Sequence, residues 1–146
     1  MIAELEQFKK NPTMPSEKSL SLMDADIGRK KAKQGKTFSG IIEFGFAYMG
    51  YSVAGFCFAS SDFDDCDEFH TSSVVFAGHD EENDIYYIET VSGSRYMINS
   101  LACFADRDDD TRDAPFSEVA KAFIDKLNLA ASKSDFLKDK IWAEIG

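Results

Sequence analysis

Acidic side chains are the residues of this chain best suited to chemistry or recognition, and they fall into three clusters. The first cluster holds Asp62, Asp64, Asp65, Asp67 and Glu68. The second holds Asp80, Glu81, Glu82 and Asp84, and the third holds Asp106, Asp108, Asp109, Asp110 and Asp113. Like charges this close repel one another. Such clusters are therefore solvated loops, a surface for a positively charged partner, or ligands for a divalent cation.

The charge distribution favours a positively charged partner. Residues 1–36 carry a net charge of +3, residues 37–113 carry −13, and residues 114–146 are balanced, within a total of −10. Phe63, Phe69 and Phe104 lie in or beside the acidic clusters, where aromatic rings can anchor an interface. The predicted partner-binding residues are Asp62, Asp64, Asp65, Asp67, Glu68, Phe69, Asp106, Asp108, Asp109 and Asp110.

Metal and nucleophile chemistry have weaker support. The first cluster can present several oxygens to Ca²⁺, but it lacks the glycine and the terminal glutamate of an EF-hand loop. A zinc site would have to combine Cys66, His70 and His79, and no Cys-x-x-Cys pair supports it. Neither histidine has a recognisable serine or cysteine nucleophile in a suitable motif. No cofactor is predicted, and the chain is interpreted as non-enzymatic.

Composition excludes several other classes. Direct nucleic-acid binding needs a basic surface, which only the short run from Arg29 to Lys36 could supply. The acidic start and the lack of an apolar run of about 18–20 residues argue against a secretory signal and a membrane span. Three cysteines without spaced pairs suit reduced thiols, and we therefore expect a cytoplasmic protein.

The elements that position these clusters follow from periodicity and turn residues. The pattern predicts a single α+β domain over residues 1–146, with helices in 1–36, a β-meander in 37–104 and helices in 114–146. The central part is expected to be a curved, mostly antiparallel sheet of about five strands, either open or closed in part as a barrel. Predicted strands cover 37–49, 51–59, 71–77, 85–90 and 95–99, with residues 60–68 as an acidic loop.

Turn and cap residues set the expected boundaries. Ser92-Gly93-Ser94 lies between two alternating segments and predicts a tight β-hairpin. Ser16 is expected to cap a helix that carries Leu20, Met23 and Ile27. Pro115 is expected to open a helix whose buried stripe runs from Phe116 to Leu127.

Four segments around the centre form a pattern that resembles small uncharacterised phage and prophage proteins. The segments are Gly55-Phe56-Cys57-Phe58, Asp62-Phe63-Asp64-Asp65, His70-Thr71-Ser72-Ser73-Val74-Val75 and Glu89-Thr90-Val91-Ser92-Gly93-Ser94-Arg95-Tyr96. The resemblance covers about a third of the chain. It implies a phage-type origin and no particular activity.

These observations lead to one functional hypothesis and one alternative. The hypothesis is an acidic inhibitor that docks on a basic, nucleic-acid-binding or nuclease-type protein. Anti-CRISPR proteins, DNA mimics and toxin-neutralising immunity proteins all fit that description. The alternative is a cation-dependent enzyme or small-ligand binder that uses the same carboxylates. Trp142, at the edge of the last predicted helix, is either a packing residue or the anchor of a homodimer.

Overall fold

The computed structural model describes residues 15–23, 38–48, 51–60, 63–101 and 115–134. Within these ranges the chain is α+β, as the sequence predicts. The elements are α1 (Glu17–Ser21), β1 (Gly40–Tyr48), β2 (Ser52–Phe58), β3 (Asp67–His70), β4 (Val74–Asp80), β5 (Ile85–Thr90), β6 (Arg95–Ile98) and α2 (Phe116–Lys133). The first and last predicted helices, the basic run and Trp142 lie outside the described residues.

The six strands form one mixed sheet in the order β3-β2-β1-β6-β5-β4. Four of the five pairings are antiparallel, and the central pair, β1 with β6, is parallel. The expectation of a mostly antiparallel sheet is therefore confirmed. The prediction of a single meander is wrong, because two three-stranded antiparallel units meet along the parallel β1–β6 pair.

The connection between β3 and β4 requires the sheet to curl. In a flat sheet these edge strands would lie five spacings of about 4.8 Å apart, or roughly 24 Å. Only Thr71, Ser72 and Ser73 separate them, and four Cα–Cα steps reach at most about 15 Å. The backbone N–H of Val74 donates to the carbonyl of Tyr51 at 2.6 Å, which brings the start of β4 to the start of β2. The curvature is as expected, but the barrel is not closed.

Both faces of the sheet carry buried apolar side chains. Consecutive side chains along a strand point to opposite faces, so alternate residues belong to different clusters. One apolar cluster includes Ile42, Cys57 and Ile98, and it is covered by Ala120, Phe123, Ile124 and Leu127 of α2. The other cluster takes the alternate residues Ile41, Phe56, Phe58 and Met97, together with Met23 and Phe38. Apolar residues at successive strand positions explain why these strands lack a simple polar–apolar alternation.

Helix α1 begins as predicted and ends early. The Ser16 hydroxyl accepts a hydrogen bond from the Ser19 N–H at 3.2 Å, which satisfies an otherwise unpaired N-terminal donor. The helix ends at Ser21, before Met23, and Ile27 lies outside the described residues. Met23 still reaches the core through a turn, with 6% of its surface exposed.

Helix α2 begins directly after Pro115, in agreement with the sequence prediction. Its buried residues are Ala120, Phe123, Ile124, Leu127 and Ala131. Phe116 was expected in this stripe, but it is 41% exposed because it lies at the helix N-terminus, beyond the main contact with the sheet. No helix in the described ranges is both long enough and apolar enough to cross a membrane.

The predicted turn between β5 and β6 is confirmed in detail. Gly93 has a φ of 91°, and its N–H donates to the Thr90 carbonyl at 2.9 Å. Thr90 N–H in turn donates to the Ser94 carbonyl at 2.9 Å. Any other residue at position 93 would have to adopt the left-handed backbone conformation, which glycine adopts readily.

Replacing Gly93 with valine is expected to lower the free energy of unfolding by more than about 1 kcal/mol, because a β-branched residue is strained at this φ. Gly93→Asn is the matched control, since asparagine tolerates the left-handed region. Urea denaturation of both variants measures the difference. Equal stability of the valine variant and the wild type would contradict this role for the turn.

Candidate functional site

The described residues that lead into β3 form a hydrogen-bonded turn. Asp67 N–H donates to the Asp64 carbonyl at 3.1 Å, and Cys66 N–H donates to the Cys57 carbonyl at 2.7 Å. Cys66 has a φ of 70°, so its backbone adopts the left-handed conformation, which is uncommon for residues other than glycine. This geometry leads the chain directly from an acidic turn into the edge strand β3.

Two of the predicted binding carboxylates hold this turn together. Asp65 Oδ1 accepts a hydrogen bond from the Ala59 N–H at 3.0 Å. Asp67 Oδ2 accepts one from the Asp64 N–H at 3.1 Å. Asp65 and Asp67 therefore have a structural role in addition to the charge that they present, as aspartate commonly has in turns.

Four acidic side chains of this connection face solvent. Asp64, Asp65, Asp67 and Glu68 are all exposed. Burial raises the pKa of the Cys66 thiol, and the charges of Asp67 and Glu68 raise it further. The thiol consequently stays protonated at neutral pH, and a protonated thiol is a poor nucleophile.

An exposed aromatic ring stands among these carboxylates. Phe63 is 38% exposed, and its ring centroid lies 5.1 Å from that of Phe69. Phe69 is half-buried and makes an edge contact with Tyr96 of the core at 5.4 Å. Phe69 was predicted to bind the partner, and that stays a prediction; its ring contacts both the exposed Phe63 and the buried Tyr96. We define the acidic aromatic turn as Phe63, Asp64, Asp65, Asp67 and Glu68.

A second aromatic pair involves His70, the last residue of β3. The rings of Tyr48 and His70 are stacked, with centroids 4.9 Å apart. Tyr48 is 39% exposed and the neighbouring Tyr51 is 41% exposed. Phe69 and His70 are consecutive, so the two aromatic pairs meet at the last two residues of β3, directly after Asp67 and Glu68.

The structure brings only part of the predicted site together. Asp64, Asp65, Asp67, Glu68 and Phe69 share the β2–β3 connection and β3. The remaining predicted residues, Asp62, Asp106, Asp108, Asp109 and Asp110, lie outside the described part of the chain. Their place relative to the acidic aromatic turn stays a prediction.

The second acidic cluster lies at the opposite end of the sheet. The strand directions put the β2–β3 connection where β1 begins and the β4–β5 turn where β6 ends. Asp80 Oδ2 accepts hydrogen bonds from the backbone N–H and the side-chain amide of Asn83, at 3.0 and 2.9 Å. Glu81 and Glu82 are exposed at the tip of the turn. This cluster is separate from the acidic aromatic turn.

The two histidines lie on different strands of the sheet. His70 is on edge strand β3, whereas His79 is on β4, the opposite edge strand. His79 Nε2 lies 2.8 Å from Asp84 Oδ1, and its ring stacks on Tyr86 at 4.2 Å. The zinc set of Cys66, His70 and His79 is therefore divided between the two edges. Among the described residues, no group of three or more His, Cys, Asp or Glu is arranged to hold a metal ion.

Strand β1 contains a buried carboxyl group that the sequence patterns did not predict. Glu43 is 8% exposed and accepts hydrogen bonds from the Asn99 amide and the Ser100 hydroxyl. The Ser100 hydroxyl also accepts from the Phe44 N–H at 2.8 Å, at a bulge where Phe44 has a φ of 54°. The sequence signal for this group is a single acidic residue within an otherwise apolar strand. Glutamate is rarely buried unless it has a partner, so such a residue indicates a buried hydrogen-bonding site.

Burial raises the pKa of Glu43 above its ordinary value of 4.5, and the hydrogen bonds from Ser100 and Asn99 oppose that rise in part. The folded protein therefore binds this proton more tightly than the unfolded chain does. We expect its contribution to stability to be greatest below pH 4.5 and to be lost as the pH rises through the raised pKa.

Urea denaturation from acidic to neutral pH measures this effect. The stability difference between Glu43→Gln and the wild type is expected to move in favour of the variant with rising pH, because glutamine does not ionise. A difference that stays constant over the whole range would show that Glu43 does not titrate differently on folding.

Comparison with known proteins returned no match. No protein-family description, curated protein or solved structure matches this chain. The likeness to phage and prophage proteins stays a sequence-based prediction.

Proposed function

We propose that this protein is a non-enzymatic binding protein that docks on a basic protein through its acidic aromatic turn. The observation that carries the proposal is an exposed Phe63 ring, in contact with the half-buried Phe69 ring, among four exposed carboxylates. Aromatic residues supply buried contact area in interfaces, and complementary charge supplies rapid and selective encounter. The acidic aromatic turn combines both features within a few consecutive residues.

The partner class follows from the charge. The −13 net charge of residues 37–113 suits a cleft rich in lysine and arginine, as in nucleases and other nucleic-acid-binding proteins. An inhibitor of the anti-CRISPR, DNA-mimic or immunity-protein kind would act by occupying such a cleft. The predicted phage-type origin is consistent with this use. We place its action in the cytoplasm, where its reduced thiols would persist.

The hydrogen bonds of the turn weaken the cation-binding alternative. Asp65 and Asp67 each use one carboxylate oxygen to accept a backbone N–H. Ca²⁺ takes six to eight oxygen ligands, and oxygens already engaged in the turn are less free to coordinate it. A protein partner, which needs charge and contact area rather than a closed oxygen cage, is the better match.

Affinity capture from host lysate followed by binding at several salt concentrations tests the proposal. The captured protein is expected to be basic, to bind in a fixed ratio and to bind more weakly as salt rises, since exposed charges are screened within about 8 Å at physiological ionic strength. A captured protein that is acidic, or whose affinity does not change with salt, would contradict the proposed function. A large thermal shift with a metal ion or a nucleotide would favour the alternative.

A further inference from the structure

A cavity opens at one end of the sheet, where β5 begins and β6 ends. Its volume is about 240 Å³. That is slightly below the range of about 300–1,000 Å³ that is usual for small-molecule sites. Residues of α1 and Phe116, the first residue of α2, also line it. A cavity of this size and place suits a ligand with a single ring and a short polar group.

The deep part of the cavity is apolar. Ile85, Tyr86, Met97 and Ile98 line it, and each is at most 6% exposed. The Phe116 ring makes an edge contact with the Tyr86 ring, with centroids 5.7 Å apart, and remains 41% exposed. An aromatic ring placed here would bury apolar surface and add a further edge or stacked contact.

Hydrogen bonds fix the elements around the cavity. The Ser19 hydroxyl of α1 donates to Asn99 Oδ1 at 2.9 Å, and the Asn99 amide donates to the buried carboxyl group of Glu43. The Tyr86 hydroxyl donates to the Ser117 carbonyl at 3.1 Å, which ties β5 to the first turn of α2. The cavity is therefore formed in advance, and a preformed site avoids the cost of ordering its walls when a ligand binds.

Two exposed side chains of opposite charge, Lys18 and Asp84, complete the lining. They do not form an ion pair with each other. Within the described part of the chain, the Lys18 ammonium group has no acidic partner. Asp84 uses Oδ1 to contact His79 Nε2 at 2.8 Å, and its Oδ2 makes no hydrogen bond to a described residue. The cavity thus offers one cation and one anion beside an apolar pocket.

We propose that this cavity binds a free amino acid with an aromatic side chain, such as phenylalanine. Its carboxylate pairs with Lys18 and its α-ammonium group pairs with Asp84, while the ring packs against Tyr86, Met97 and Phe116. A ligand with only one charge leaves one of the two lining charges without a partner. The cavity and the acidic aromatic turn lie at opposite ends of the sheet, so this inference does not rest on the proposed function.

Three related compounds test the inference by NMR titration of protein with labelled methionine methyl groups. L-Phenylalanine is expected to bind with a Kd of about 1 mM, typical of so small a ligand. Phenethylamine lacks the carboxylate and 3-phenylpropionate lacks the ammonium group. Each is expected to bind about fivefold more weakly, the loss usual for one exposed ion pair. The Met97 methyl signal is expected to move, whereas that of Met23, outside the cavity, is expected to stay.

Two variants assign the charges. Lys18→Gln is expected to weaken phenylalanine binding about fivefold and to leave phenethylamine binding unchanged, because that compound has no carboxylate to lose. Asp84→Asn is expected to weaken phenylalanine binding similarly and to leave 3-phenylpropionate binding unchanged. Asparagine tolerates the φ of 54° at this position. Lys121→Gln, at an exposed position of α2 outside the cavity, is the control and is expected to bind as the wild type does.

Three results would overturn the inference. The first is a Met97 signal that moves with none of the compounds, and the second is equal binding of all three. The third is a Lys18→Gln variant that weakens phenylalanine and phenethylamine equally, because the loss would then not come from the carboxylate. Each result concerns this cavity alone and leaves the proposed docking through the acidic aromatic turn to its own test.

Discussion

Replacing Asn128 with leucine is expected to lower the free energy of unfolding by about 2–4 kcal/mol. Asn128 satisfies both backbone groups of Ala77, a residue that is only 1% exposed. Each buried group left without a partner costs about 1–3 kcal/mol, and the similar shape of leucine limits other changes. Urea denaturation measures the loss. The same variant is expected to aggregate more readily, since it uncovers the edge of β4.

Asp125→Leu is the matched control for Asn128→Leu. Asp125 lies on the exposed face of α2, so the same substitution there is expected to change stability by less than about 0.5 kcal/mol. Equal losses in the two variants would show that the effect comes from adding leucine to the helix. A stable Asn128→Leu protein would contradict the assignment of this amide as the cap of the β4 edge.

The second large effect is expected at Gly55 in the middle of β2. A Cβ atom there would lie 2.9 Å from the Glu43 carbonyl oxygen, 2.9 Å from Ile42 Cγ2 and 3.2 Å from the Gly45 Cα. Two of these neighbours are backbone atoms, so the strands must move apart to admit a side chain. Gly55→Ala is expected to cost about 1–3 kcal/mol, the usual range for overpacking.

Gly45→Ala tests whether the loss at Gly55 comes from this close approach. The nearest atom to a Cβ at Gly45 is Ile42 Cγ2 at 3.2 Å, and the Ser100 carbonyl oxygen lies 3.6 Å away. A smaller loss is expected, because a side-chain methyl can yield more easily than backbone. Gly55 is opposite Phe69 in the β2–β3 register, so Gly55→Ala is also expected to weaken partner binding. A larger loss at Gly45 than at Gly55 would contradict this packing.

Local sequence signals located most of the elements but not their arrangement. The Gly93 turn, the Ser16 cap and the helix after Pro115 depend on neighbouring residues, and all three are confirmed. The strand β3 was missed because Asp67 and Glu68 are depleted in strands, where only the pairing with β2 compensates. The parallel β1–β6 pairing joins segments more than fifty residues apart in the chain, and no local pattern specifies it.

The candidate site could be predicted as a composition but not as a geometry. The acids at 64–68 were identified from their density, and the structure adds that Asp65 and Asp67 also build the turn. In the sequence, Phe63 and Phe69 are both aromatic residues beside charges. The fold distinguishes the exposed Phe63 ring from the half-buried Phe69 ring. The Asn128 cap of Ala77 depends on how α2 crosses the sheet edge, which a helix pattern alone does not specify.

The central claim is that the acidic aromatic turn, rather than acidity in general, binds the partner. Two variants that remove the same amount of charge test it directly. Asp64→Asn with Glu68→Gln changes the proposed surface, and Glu81→Gln with Glu82→Gln changes exposed acids at the far end of the sheet. The six residues of β5 span roughly 20 Å between those ends, well beyond the screening length of about 8 Å.

Calorimetric binding of a basic peptide that alternates lysine with threonine to both variants, at physiological ionic strength, is the decisive measurement. The first variant is expected to bind about tenfold more weakly than the wild type, since two exposed ion pairs contribute up to about 1 kcal/mol each. The second is expected to bind as the wild type does. Equal weakening of both variants, or no weakening of the first, would contradict the assignment of this turn as the docking surface.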